Sequence, residues 1–253
     1  MRYLVLADVH ANMEALEACL SDAQARGYDR TLVLGDLVGY GPDPNETIAR
    51  VQSLNPAAMI RGNHDKVACG LEPPEGFNAV AKSAALWTHD TLTTANRLWL
   101  ASLPQGPLVV DGQIEICHGS PTDEDAYTFD ELDAVSALKT SRRMVCLFGH
   151  THCPVTFHLS QGRVETIGLS GLTESRVELR AESKYLINAG SVGQPRDGDP
   201  RAAFATFDGK TFALHRVEYN MQKVFELMEV AGFHDYYYGG LKTGANRLRR
   251  LED

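Results

Sequence analysis

The apolar positions along the chain fall into two textures. Over the first 150 residues, short runs that are apolar at nearly every position alternate with stretches whose apolar residues recur every three or four places. The runs Tyr3–Ala7, Thr31–Leu34, Ala57–Ile60, Ile114–Cys117 and Met144–Phe148 have the length and composition of strands buried on both faces. Between the first two, Asn12 is placed to cap a helix with Met13, Leu16, Leu20 and Ala23 on one face, ending near Gly27. Asp43-Pro44-Asn45-Glu46 puts a capping carboxylate before a proline at the first helical position. Thr128-Phe129-Asp130-Glu131 has the spacing of a capping box, opening a helix through Leu132, Val135 and Leu138.

Beyond residue 150 the period shortens. Val155–Leu159 and Arg163–Ile167 flank Gln161-Gly162, and Ala202–Phe207 and Thr211–Val217 flank Asp208-Gly209; both read as hairpins. Tyr185–Asn188 adds a strand, and Asn220 is placed to cap a helix with Met221, Val224, Phe225 and Met228 on one face. The segment 168–183 has little patterning and reads as a surface insertion. Strand–helix alternation followed by hairpins predicts an α/β chain with packed sheets covered by helices. We divide it into residues 1–218 as one domain and 219–253 as a C-terminal helix and tail on that domain.

Composition narrows the class. The 253 residues are 43% hydrophobic and 23% charged, as in an ordinary globular protein, and the formal net charge is −9. That acidity argues against a coat-type nucleic-acid binder, which needs a basic stripe. No run approaches the roughly 20 apolar residues that cross a bilayer. The apolar start is cut off by Asp8, short of a secretory core, and the five cysteines show no paired spacing. A cytoplasmic protein with reduced thiols is the expectation, with no membrane partner.

The chemistry gathers at the ends of the strand-like runs. Asp8 and His10 follow the first, Asp36 the second, Asn63 with His64 and Asp65 the third, His118 the fourth, and His150 and His152 the fifth. Sites in α/β sheets form at the carboxyl ends of strands, so five such endings predict loops that converge on one point. Any one of these residues has an ordinary alternative: Asp8 as a helix cap, Asn63 as a turn residue, His118 as a satisfied core histidine. The set, in order and each at a strand end, is a far more specific signal.

The motifs Asp8-Val-His10, Gly35-Asp36-Leu-Val-Gly39, Gly62-Asn-His-Asp65, Cys117-His118-Gly119 and Gly149-His-Thr-His152 resemble the five blocks of the calcineurin-like metallophosphoesterase superfamily. Gly39-Tyr-Gly-Pro42 and Asn188–Asp197 are similar to its bacterial branch near the YfcE-type phosphodiesterases. The resemblance implies a four-layer α/β/β/α sandwich of two mixed β-sheets flanked by helices, with a two-metal centre. Carried over by motif, one ion is held by Asp8, His10, Asp36 and His152. The other is held by Asp36, Asn63, His118 and His150, with Asp36 bridging. Imidazole and carboxylate donors suit Mn or Fe first, with Zn, Co or Ni also compatible, and do not suit Ca. Two divalent ions, two carboxylates and a bridging hydroxide leave about +1 at the centre, enough to draw a phosphate to an acidic chain.

The implied activity is a phosphodiesterase acting on a small or nucleotide-like ester, by in-line attack of a metal-bridging hydroxide. His64 is the expected non-ligand catalyst, with Asp65 hydrogen-bonded to its ring and raising its pKa so that it donates a proton to the leaving oxygen. Arg196 is the candidate phosphate contact, with an ordering ion pair to Asp197 or Asp199 as its alternative. Tyr40 and Tyr127 are candidates to stack on a base. Protein phosphatases and symmetrical dinucleoside tetraphosphatases of the superfamily carry an arginine shortly after the second block; here the place reads Gly39-Tyr40-Gly41. Dinucleoside polyphosphate hydrolysis and phosphomonoester hydrolysis are therefore secondary expectations, and a scaffold without catalysis comes last. Tyr236–Tyr238, Lys242, Arg247, Arg249 and Arg250 make the tail a candidate interface for an oligomer or an acidic ligand.

Overall fold

Two six-stranded mixed sheets, stacked face to face, carry the helices on their outer faces. The computed structural model describes residues 1–169, 172–233 and 239–245. The first sheet is built around β1 (Tyr3–Leu6), β2 (Arg30–Val33) and β3 (Ala58–Met59), which run parallel because α1 (Met13–Arg26) and α2 (Pro44–Ser53) return the chain between them. After a short helix α3 (Asn63–Cys69), α4 (Ala79–Thr91) and α5 (Thr94–Ala101), the second sheet begins with β4 (Leu108–Val110), β5 (Ile114–Ile116), and, past α6 (Glu131–Thr140), β6 (Val145–Phe148). It is completed by the hairpin β7 (Val155–Ser160) and β8 (Arg163–Gly168), and by β10 (Lys184–Asn188), for an order β4-β5-β6-β10-β7-β8.

The remaining strands return to the first sheet. β9 (Glu174–Glu178) and the hairpin β11 (Ala202–Phe207) and β12 (Thr211–Val217) extend it to β3-β2-β1-β11-β12-β9, and α7 (Met221–Val230) follows. This is the four-layer architecture expected from the sequence.

The uniformly apolar runs have a simple cause. Alternate side chains of one strand point to different cores. Tyr3, Val5 and Ala7 pack between the sheets with Ile116, Leu147 and Ile187, whereas Leu4 and Leu6 pack under α1 and α2 with Leu16, Leu20, Ile48 and Val51. On the second sheet, Val145 and Leu147 face inward, and Cys146 and Phe148 face Ala134, Ala137 and Leu138 of α6. Each such buried aliphatic contributes roughly 1.5–3 kcal/mol, so register is fixed on both faces.

Three sequence expectations change. The segment 168–183 is no insertion: it contains β9, the edge of the first sheet, with Val177 and Leu169 in the inter-sheet core. The first helical cap of α6 is Asp130, which accepts from the Leu132 and Asp133 N–H groups, not Thr128. Its buried face is therefore Ala134, Ala137 and Leu138, and Leu132 is 83% exposed. At α2, Pro44 holds the first position but the Asp43 side chain makes no capping bond. The Asn12 and Asn220 caps form as read, accepting from Ala15 N–H and Lys223 N–H.

The chain after residue 218 packs on the same body. Val224, Phe225 and Met228 of α7 join Ala84 of α4, and Phe233 and Leu241 close the cluster. Tyr236–Tyr238, Arg247, Arg249 and Arg250 lie outside the described residues.

Candidate metal centre

All seven candidate ligands lie along one edge of the sandwich, at the carboxyl ends of β1, β2 and β3 in one sheet and of β5 and β6 in the other. The turns that bring them there are tight. Asp8, His10, Asp36, His150 and His152 all adopt left-handed φ, between 51° and 67°. Such conformations cost non-glycine residues about 1–3 kcal/mol each and persist only where the surroundings enforce them. Glycine is obligatory at close approaches: a Cβ at Gly62 would lie 2.2 Å from Asp36 Oδ1.

Asp36 stands at the middle. Its Oδ1 accepts the His64 main-chain N–H at 2.9 Å, and its Oδ2 lies 3.6 Å from His10 Nε2 and 3.4 Å from His118 Nε2. Asp8 is held by the His150 N–H at 3.0 Å and faces His152 Nε2 at 3.6 Å. Potential donor atoms of Asp8, His10, Asp36 and His152 lie within 4.8 Å of one another, as do those of Asp36, His118 and His150. Asn63 Oδ1 is 3.2 Å from His118 Nε2.

The imidazole orientations test whether this set suits a cation. His10, His118 and His152 each present Nδ1 to a main-chain carbonyl, of Val38 at 3.1 Å, Leu34 at 2.8 Å and Gln194 at 2.6 Å. His150 uses the other nitrogen, Nε2, toward the Asp125 carbonyl at 3.0 Å. A carbonyl only accepts, so each ring donates an N–H there and turns its other nitrogen inward, as a lone pair in the neutral rings. His10 and His152 then meet lone pair to lone pair, Nε2 to Nε2, at 3.1 Å. A bound cation relieves that repulsion. The donor set fits a divalent metal with N and O preference.

Electrostatics point the same way. Burial pulls His10 down to about 4 and His150 to about 3, and puts His152 well below its ordinary value, so all three are neutral near pH 7. Burial, aided by the neighbouring Asp36 carboxylate, pushes Asp8 up to about 7. His118 is the exception. Burial disfavours its charge, but Asp36 in contact and Asp8 nearby outweigh this and raise it to about 10. Without an ion the site thus keeps one protonated imidazole against its carboxylates.

His64 lines a cleft of about 360 Å³ that opens above Asp36, Asn63, His150 and His152. Its surroundings differ from the expectation. Asp65 does not touch the ring; its carboxylate accepts from the Leu37, Val38 and Gly62 N–H groups at 2.9, 3.2 and 3.0 Å and ties the second loop to the third. The His64 Nδ1 is buried without a partner against Gly39, where a Cβ would come within 2.5 Å. Burial holds His64 well below its usual pKa, so the ring is neutral rather than a protonated acid.

Arg196 lines the same cleft, and its Nη2 donates to Tyr40 Oη at 3.2 Å and Gln194 Oε1 at 3.1 Å. The alternative ion pairs are taken elsewhere: Asp197 pairs with Arg216 and Asp199 with Arg201. Tyr40 packs between His10 and His64, with ring centroids 4.9 and 4.5 Å away, and is a wall rather than a free platform. Tyr127 is half-exposed and stacks on His150 at 4.0 Å. Residues the motifs did not single out complete the site. Asp125 supplies the carbonyl that orients His150, and its carboxylate accepts from Lys66 Nζ at 2.7 Å. Lys66 is 1% exposed and also pairs with Glu72 and Glu124, at 3.0 and 3.1 Å. No spacing in the sequence signals these contacts; the Asp65 carboxylate that accepts from the Gly62 N–H three residues earlier makes only one half of a capping box.

Residues 1–211 match the calcineurin-like phosphoesterase superfamily domain. The chain belongs to that superfamily. It is 35% identical over 229 residues to an uncharacterized protein of Methanocaldococcus jannaschii, covering 88% of this chain and 89% of the relative. Among solved structures it is similar to a metallophosphoesterase from Sphaerobacter thermophilus, with 34% identity and a TM-score of 0.84 over 97% of this chain and all of the other. A hypothetical protein from Pyrococcus horikoshii shares the fold at 20% identity, with a TM-score of 0.77 over 97% of this chain and 99% of the other. This calcineurin-like chain is thereby placed among metal-dependent phosphoester hydrolases, and its Asp/His cluster could hold metal ions. Among the described residues no helix is long and apolar enough to cross a membrane.

Proposed function

We propose that the protein is a two-metal phosphodiesterase for small or nucleotide-like esters. The observation that carries this reading is the convergence of two donor groups that share Asp36. Asp8, His10, Asp36 and His152 would hold one ion, and Asp36, Asn63, His118 and His150 the other. Two divalent cations there supply Lewis-acid polarisation of phosphate oxygens and a lowered pKa for water. Mn or Fe fits the donors, with Zn, Co or Ni also suitable.

The chain's own groups do the rest. Arg196, with no carboxylate in contact among the described residues, offers N–H donors to the non-bridging oxygens of the ester. His64 is neutral, its Nδ1 enclosed, so Nε2–H is the donor it can turn to the cleft. It stabilises charge on the leaving oxygen by hydrogen bonding, a weaker role than full proton delivery by an imidazolium. Tyr40 holds Arg196 in place. The carbonyls of Leu34, Val38, Asp125 and Gln194 hold the imidazole rings.

The test is hydrolysis of bis-p-nitrophenyl phosphate by chelator-stripped protein. Activity is expected to return with Mn²⁺ and to vanish again with chelator and with Asp36→Asn. Equal rates with and without metal would defeat the proposal.

A further inference from the structure

The cleft is chemically lopsided, and the asymmetry bears on what is esterified to the phosphate. One end is cationic, with Arg196 beside the donor cluster. The facing wall, from α3, α4 and the segment between them, is apolar: Val67, Pro73, Phe77, Val80 and Ala81 line it. Phe77 is only half-buried, and its ring rests on His64 at 4.5 Å between centroids. Tyr127, on the His150 side, presents a second half-exposed ring. A partly exposed aromatic set against a reacting group offers a planar ligand both area and stacking.

The rim beyond that wall is acidic. Glu72 and Asp125 line the cleft and are 47% and 44% exposed in their side chains. Their cation, Lys66, is buried behind them and is shared with Glu124, which Arg61 also pairs. Three carboxylates face two cations in this cluster, so the rim stays net negative. A second phosphate placed there meets the repulsion of these carboxylates. The volume of about 360 Å³ is also near the low end of the ~300–1,000 Å³ typical of small-molecule sites.

We infer that Phe77 and the apolar wall form a pocket for one uncharged aromatic group of the ester, and that Glu72 and Asp125 exclude a polyphosphate from it. The substrate class is then an aryl or nucleoside phosphodiester with a single phosphate. This rests on the hydrolase reading above and sharpens it.

Two measurements on the metal-loaded full chain test it. The first compares kcat/KM for phenyl p-nitrophenyl phosphate and methyl p-nitrophenyl phosphate, which share a leaving group. Wild type should favour the phenyl ester at least tenfold, and Phe77→Ala should bring the ratio within threefold of unity. Val80→Asp, which leaves His64 untouched, should cut the same ratio. Glu72→Gln should raise diadenosine tetraphosphate cleavage relative to the phenyl ester by at least threefold. The second measures binding of phenylphosphonate against methylphosphonate by calorimetry, without turnover. If no ester is cleaved with any metal, yet phenylphosphonate binds more tightly and loses that advantage in Phe77→Ala, the pocket stands and the hydrolase reading falls. If diesters are cleaved with no phenyl preference, or the preference survives both wall variants, the pocket is overturned and the hydrolase reading stands. An unchanged ratio in Glu72→Gln overturns the role of the rim.

Discussion

His10 and His152 point their Nε2 atoms at each other across 3.1 Å while both Nδ1 atoms are committed to main-chain carbonyls. Neither ring can turn to relieve the contact without breaking a buried hydrogen bond. An ion between them should therefore stabilise the fold as well as serve chemistry. At a free metal concentration one hundred times its Kd, the gain is about 2.7 kcal/mol. For a chain of this size that corresponds to a rise in Tm of roughly 5–10 °C. Thermal unfolding of stripped protein with and without Mn²⁺ reads it directly, and His152→Ala should abolish most of the shift.

Gly39 and His64 give a second test. A methyl at Gly39 would meet His64 Nδ1 at 2.5 Å, in a backbone conformation that L-residues avoid. Gly39→Ala should displace the ring and lower kcat about as much as His64→Ala, on the order of 10²-fold. Both variants should still bind metal, because His64 is not among the donors. Loss of metal in His64→Ala, seen by calorimetry, would make it a ligand instead.

Lys66 is the largest fully buried side chain among the described residues and sits among three carboxylates. Lys66→Met should cost roughly 1.5–3 kcal/mol, the worth of hydrogen bonds to a charged group. It should fall short of the ~3–5 kcal/mol of a wholly enclosed pair, because Glu72 and Asp125 reach solvent and Arg61 still holds Glu124. Because Asp125 also orients His150, the variant should weaken metal binding. Urea unfolding and metal titration of the same protein separate the two effects.

The pH dependence of stability has a component far from the centre. His215 is 1% exposed, with Nε2 3.0 Å from Thr206 Oγ1, and burial, aided by Arg26, lowers it from 6.5 to about 4. Between those values the unfolded chain binds a proton that the folded chain refuses. Stability is thus complete above pH 6.5 and declines as pH falls toward 4. His215→Gln should flatten that part of the profile when denaturation midpoints of stripped proteins are compared from pH 7.5 to 4. Parallel profiles would remove His215 as the cause. Glu174, drawn down to about 2 by Arg176 and Arg26, loses its contribution only at lower pH.

How far the sequence could be read depended on where each signal was stored. β1, β2 and β6 were legible because both faces of each strand are buried, which leaves an unbroken apolar run. β9 was not: only Ser175 and Val177 turn inward, and Glu174 and Arg176 form ion pairs at the sheet edge, so the segment looks like a loop. The order of Asp, Asn and His at strand ends foretold which side chains gather. It could not foretell that Asp65 spends its carboxylate on the backbone of Leu37, Val38 and Gly62 rather than on His64. Nor does any local pattern announce that Lys66, one residue on, turns away from solvent to meet Asp125.

The donor side chains are divided between the sheets, four carried by the first and three by the second. An ion held among them would act as a clasp between two layers otherwise joined mainly by apolar packing. In a cell starved of that ion, quality control would meet a loosened sandwich, and supply of the metal would govern how much protein survives as well as how fast each copy works.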